Sequence, residues 1–322
     1  MNLIKQLRER TSAPIKEVKS ALVACHWDIG AAQKELRKRG VVLASKKSSR
    51  TAAEGLLAVA QDEEKAVVIE LNCETDFVAR NDIFQCLVSM RISFFLCSID
   101  YHSPSIRHFL RPGFTLLLYV NFDHPKLTGE RTVQNAIVEV AAMMGENVTL
   151  RGAITIPAPS HGVLSTYLHT CPQPGIGRHA GLLSLEVEDK NASLDAVQRV
   201  GSEIAMHLVA AKPLFLSKED VFPHALENER DILRSQAEST GKSQMAIDKM
   251  VEGRLRKYYE EVVLLEQKFV VDDTINIKTL LNNLSKEVGS TVKINTFLRL
   301  EVGEGLERLE AASGTDPASQ VA

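Results

Sequence analysis

A chain of 322 residues, 44% hydrophobic and 25% charged, is long enough for two or three domains with a sizeable core, and its composition is that of an ordinary soluble globular protein. The net charge of −3 conceals an asymmetry, because residues 1–50 hold twelve Lys/Arg against four Asp/Glu, a surplus of +8 that leaves −11 on the remainder. The longest apolar run, Phe114 to Val120, is far short of the ~20 residues of a membrane helix. Five cysteines (Cys25, Cys73, Cys86, Cys97 and Cys171), odd in number and without a CxxC pair, fit a reducing interior better than a disulfide framework.

Residues 2–40 predict three short helices. Leu3 and Leu7 mark the first, and Ser12 and Pro14 open the second, since proline needs no amide donor in a first turn. Ile15, Val18, Leu22 and Cys25 then fall on one helical face. Asp28 is a good N-cap for a third helix carrying Ile29, Ala32 and Leu36 and closed by Gly40. No targeting segment is expected ahead of this first helix within the sequence. Residues 41–54, with Lys46-Lys47-Ser48-Ser49-Arg50, read as a basic, exposed and partly mobile linker. A basic module on an acidic body fits a polyanion or an acidic partner face, although on charge alone a solvated helix face is the simpler account.

Residues 55–160 open with a hairpin: Gly55 to Ala60, a polar turn, then the apolar strand Ala66 to Cys73. Directly after it comes Glu74-Thr75-Asp76-Phe77-Val78. An acid beside a large aromatic at a strand end suits a protruding loop that pushes a charge and a wedge into a partner. A core phenylalanine at a helix start is the bland alternative. Residues 89–122 then break the pattern: they hold seven of the seventeen aromatics, Pro104 and Pro112 interrupt them, and no periodicity persists.

Residues 161–310 begin with a second hairpin, Gly162 to Leu168 and Leu182 to Val187, around the Pro/Gly-rich stretch Cys171 to Gly177. Its helix places Leu194, Val197, Gly201, Ile204 and Leu208 on one face, so the two hairpin-plus-helix units look like a weak internal duplication. Gly175-Ile176-Gly177 lacks the third glycine and the βαβ setting of a dinucleotide fingerprint. His169 and Cys171 are too few for a zinc site. Residues 224–267, broken near Ser239-Thr240-Gly241, predict two antiparallel helices, with Met245, Met250, Val251 and Leu255 facing the partner helix or another protein. A strand from Ile294 to Gly305 closes the fold, and residues 311–322 form a disordered tail.

Several of these stretches occur in one order. Leu71-Asn72-Cys73-Glu74-Thr75-Asp76-Phe77-Val78-Ala79-Arg80-Asn81, with Leu7 to Thr11, Lys19 to Leu22, Asp123 to Lys126, Met144 to Asn147, Lys249 to Arg254 and Ile294 to Gly305, resembles translation elongation factor Ts. The likeness covers about residues 1–88 and 123–310 and is greatest to the plant mitochondrial form. It implies an α+β fold: a small three-helix ubiquitin-associated-like N-terminal module, a two-part α+β core with antiparallel sheets, and a helical hairpin insertion. It implies a guanine nucleotide exchange factor for elongation factor Tu rather than an enzyme, with Thr75, Asp76, Phe77 and Val78 binding that partner. No cofactor, metal, membrane or specific nucleic acid is expected. The location implied is the mitochondrion, which would make the sequence a mature or truncated chain, with the bacterial cytoplasm as the alternative. The family continues into an amphipathic helix where this chain shows one only to about Val88. Residues 89–122 are therefore expected to be an alternative or mispredicted translated segment, with a partner-binding insert as the other reading. Two rival functions remain: an RNA-binding or translation-linked adaptor using the basic N-terminal module, and a Cys/His enzyme using Cys73 or Cys171.

Overall fold

Leu56-Leu57-Ala58-Val59 and Ala66-Val67-Val68-Ile69 are apolar at successive positions, a pattern a strand tolerates only where both of its faces are covered. The computed structural model, which describes residues 2–11, 13, 15–89, 119–124, 127–238 and 243–306, shows both covers. Strands β1 (Glu54–Gln61) and β2 (Lys65–Cys73) pair antiparallel from Glu54↔Cys73 to Gln61↔Ala66. A short hairpin follows, β3 (Tyr119–His124) with β4 (Leu127–Thr132). Strand β5 (Val148–Pro157) joins β2, and the two-residue β7 (Ile176–Gly177) joins β1, giving the order β5-β2-β1-β7. A second antiparallel sheet has the order β6-β8-β9, from β6 (Gly162–His169), β8 (His179–Val187) and β9 (Val292–Glu301).

The period-2 alternation of each strand splits its apolar residues between two cores. Leu57, Val59, Val68 and Ile156 of the first sheet meet Leu164 and Leu182 of the second. On the other face of the first sheet, Val67, Ile69 and Leu71 pack under α4 (Asp76–Ala79), α5 (82–89) and α6 (Val133–Met144). On the far side of the second, Leu183 and Leu185 pack under α7 (Asp195–Ala211) and α10 (Ile277–Val288). The result is α+β in four layers, helix, sheet, sheet, helix. The two halves are not separate at residue 160, because β7 lies in the second half of the sequence but belongs to the first sheet.

Three helices, α1 (Asn2–Thr11), α2 (Ile15–Ala24) and α3 (Ile29–Lys47), enclose a small core of Leu7, Val18, Ala21, Leu22, Ala32 and Leu36. Asp28 caps α3 by accepting from the Ala31 amide at 3.0 Å. Gly40 does not end α3, contrary to the sequence expectation, and residues 41–47 of the expected linker are helical. Its missing side chain serves a close approach instead: a Cβ there would lie 2.8 Å from that of Ala142 on α6. Arg37 pairs with Glu139 across the same contact at 3.3 Å, and the Lys47 ammonium donates to the Gly145 carbonyl.

Helices α8 (Pro223–Glu238) and α9 (Gln244–Val262) pack through Leu233, Ala237, Ile247, Val251 and Leu255. Of the expected stripe, Val251 and Leu255 face the partner helix, whereas Met245 is exposed. Strand β9 stops at Glu301 rather than Gly305, because the chain turns there and the Val302 amide bonds to the Arg178 carbonyl at 3.0 Å. Of the atypical segment, residue 89 ends the described helical run and residues 119–122 lie in β3, so strand pairing does occur there; residues 90–118 lie outside the described residues. The second-helix start at Ser12 and Pro14, the break at 239–242 and the tail from 307 onward also lie outside them. Among the described residues no helix is long and apolar enough to cross a membrane.

Candidate functional site

The site begins where β2 runs out of sheet. Cys73, its last residue, is fully buried, and its Sγ donates to the Thr75 carbonyl at 3.1 Å. Burial, with the charges of Glu146 and Glu54 adding to it, pushes the Cys73 thiol up to about 12. A thiol held protonated in this way is a packing group and not a nucleophile. Burial also raises the Cys171 thiol. His169 engages Tyr167 instead, with the phenol oxygen 3.1 Å from its Nδ1. Among the described residues no three His, Cys, Asp or Glu side chains are grouped to hold a metal.

After Cys73 the chain takes an extended step at Thr75 (φ −127°, ψ 154°) and enters α4, a helix of four residues. So short a helix is marginal by itself, since nucleation fixes several residues for one hydrogen bond. It is held from three sides. Below, Val78 and Ala79 sink into the core with Phe84 and Val133. Behind, the Asn81 amide donates to the Val78 carbonyl at 3.0 Å, while Asn81 Oδ1 accepts from the Ile83 amide at 2.9 Å and so caps α5. In front, the Glu146 carboxylate accepts from the Thr75 amide at 3.0 Å and from the Thr75 hydroxyl at 2.6 Å.

Glu146 can reach because Gly145 ends α6 in the left-handed conformation (φ 71°), a turn that favours glycine. The next residue completes the support. The Asn147 amide donates to Glu74 Oε1 at 2.6 Å, and its side-chain amide donates to the Ser48 and Arg50 carbonyls at 3.2 and 2.7 Å. Arg50 pairs with Glu74 at 3.3 Å, so the stretch after α3, β2 and the α6–β5 turn converge behind α4.

On this base Phe77 is 78% exposed. Asp76 stands beside it, its Oδ2 2.7 Å from Arg80 Nη2 one turn on. Asp76 and Arg80 also line a cavity of about 510 Å³ with Glu54, Cys171 and Arg178. The four residues singled out in the sequence thus divide: Asp76 and Phe77 face outward, whereas Thr75 is taken up by Glu146 and Val78 by the core. Sequence reading gave no role to Glu146, Asn147 or Arg50; the only signal was the stretch Met144 to Asn147, whose pairing with Glu74 and Thr75 depends on the fold. What the arrangement offers is an apolar ring and a carboxylate on a fixed platform, which is the chemistry of docking rather than of bond making.

A family model described as Elongation factor TS matches residues 74–304, beginning at the first residue of this site. Elongation factor Ts, mitochondrial, of Ricinus communis is 67% identical over 323 residues, covering 100% of this chain and 85% of the relative. The protein of the same name from Arabidopsis thaliana is 64% identical, with 100% and 81% covered. Elongation factor Ts of Paramagnetospirillum magneticum is 40% identical, with 98% of each covered. A match over most of the length and high identity to plant mitochondrial relatives lead to one conclusion: the chain belongs to the elongation factor Ts family.

Proposed function

We propose that this protein is a guanine nucleotide exchange factor for elongation factor Tu in mitochondrial translation elongation, and that Phe77 is its wedge. The observation that supports this reading is a phenylalanine 78% exposed on a helix whose backbone is fixed on three sides. An exposed aromatic on a rigid base loses little side-chain freedom when it docks.

A GTPase holds its nucleotide through its phosphate loop and a Mg²⁺ ion. A factor speeds release by binding the nucleotide-free form more tightly, and linkage makes the nucleotide weaken the factor's hold to the same degree. Phe77 enters an apolar cleft of the GTPase domain, and burying a phenylalanine contributes roughly 1.5–3 kcal/mol. Asp76 brings charge and acceptor oxygens towards the Mg²⁺ surroundings. Its pairing with Arg80 is an exposed one, of the kind that typically contributes ~0–1 kcal/mol, and is readily given up. The three-helix unit α1–α3 acts as a ubiquitin-associated-like module on the GTPase domain. The C-terminal core and the α8–α9 hairpin reach elsewhere on the partner. The basic surplus of the N-terminal region is partly engaged within the protein, since Arg37, Arg39 and Arg50 all pair with carboxylates, which weakens the RNA adaptor reading.

Release of a fluorescent GDP from elongation factor Tu tests the proposal. The natural chain is expected to accelerate release. Phe77→Ala is expected to lower that acceleration about 30-fold, the equivalent of a ~2 kcal/mol hot spot. Asp76→Ala should still bind but release nucleotide more slowly. Equal acceleration by the natural chain and Phe77→Ala would overturn the wedge.

A further inference from the structure

We infer that Glu146, whose carboxylate is taken up by Thr75, is a positioning residue for exchange, fixing the direction in which Phe77 leaves the platform. The inference rests on Phe77 being the wedge.

Three observations carry it. First, α4 has no N-cap of its own, because the Thr75 side chain makes no hydrogen bond to the helix amides and is turned to Glu146 instead. A single carboxylate from a distant turn therefore replaces the local cap, and it holds Thr75 by both amide and hydroxyl, at 3.0 and 2.6 Å. Two charge-assisted bonds to one residue fix orientation as well as distance. Second, Phe77 is almost free of packing, so its direction is inherited from the α4 backbone. Val78 and Ala79 hold one side of that short helix, and the Cys73 thiol holds only the Thr75 carbonyl, so Glu146 is what fixes the Thr75 amide and hydroxyl. Third, Glu146 stands on a braced support. Gly145 before it receives Lys47 from α3, and Asn147 after it grips Glu74 and the 48–50 backbone. The wedge is thereby tied to the helix that carries the N-terminal module.

A pre-organised wedge docks in proportion to the fraction of molecules that present it correctly. Glu146→Ala is expected to lower exchange efficiency about tenfold in the 322-residue chain. Glu146→Gln, which keeps one acceptor oxygen, should fall between the two. Thr75→Val removes the hydroxyl at nearly constant shape and should act in the same direction with α4 packing intact. A double-mutant cycle with Phe77→Ala separates positioning from folding: if Glu146 acts through Phe77, Glu146→Ala adds no further loss in the Phe77→Ala background. Amide hydrogen exchange should also quicken over residues 75–80 with β1 and β2 unchanged. Unchanged exchange efficiency in Glu146→Ala, or an equal loss in both backgrounds, would overturn the inference and leave the wedge standing. Acceleration by Phe77→Ala equal to that of the natural chain would overturn the wedge and this inference with it.

Discussion

Phe77 is 78% exposed and Val78, its neighbour, is 6% exposed, because α4 is one turn long and only one of its faces meets the core. The same pair of residues therefore separates function from stability. Phe77→Ala is expected to change unfolding free energy by no more than ~0.5 kcal/mol, as for a typical surface substitution. Val78→Ala, by contrast, opens space in a packed cluster and is expected to cost ~1–3 kcal/mol. Urea unfolding of the two variants checks this, and a large loss with Phe77→Ala would place its ring in the core. Cys73 adds a dependence on pH. Its folded value, about 12, lies above the ordinary 9.0, so the folded state keeps a proton that the unfolded state gives up between them. The stability it contributes is complete below pH 9 and is lost as pH rises towards 12. Cys73→Ala should flatten that alkaline decline; an unchanged slope would mean that Cys73 titrates normally.

At the scale of elements, a glycine near the end of a predicted helix has two physical readings, a left-handed cap or a close contact. Gly145 takes the first and Gly40 the second. The sequence around Gly40 supports the wrong one, because Ala142 is far along the chain and invisible to local pattern. Gly40→Val is expected to push α3 off α6 and to cost ~1–3 kcal/mol through overpacking. The check is a lowered unfolding midpoint together with loss of protection at Lys47. Full stability in Gly40→Val would show that the two helices do not need this contact. The hairpins β1–β2 and β6–β8 were legible because each strand carries its own turn signals and apolar period. β7 was not, since two residues carry no period at all.

For the whole molecule, a core shared between two sheets has a thermodynamic consequence. Ile156 of the first sheet and Leu182 of the second lie in the same cluster, and β7 threads from one half into the other's sheet. Elements that share a core unfold together. Ile156→Ala and Leu182→Ala should each cost ~2–5 kcal/mol and shift one common transition. Calorimetry that resolved two transitions, each moved by only one variant, would show instead that the halves fold apart.

The sequence by itself determined the family and the α+β class and singled out Asp76 and Phe77 as candidates, because each of these is written in contiguous residues whose spacing or identity is enough. Only the tertiary structure decided what holds them. Glu146 and Thr75 are 71 positions apart, Asn147 and Arg50 97 apart, and no local pattern encodes such pairs. It also decided which of two adjacent site residues faces outward, since burial is a property of the surface against which a helix lies and not of the helix alone.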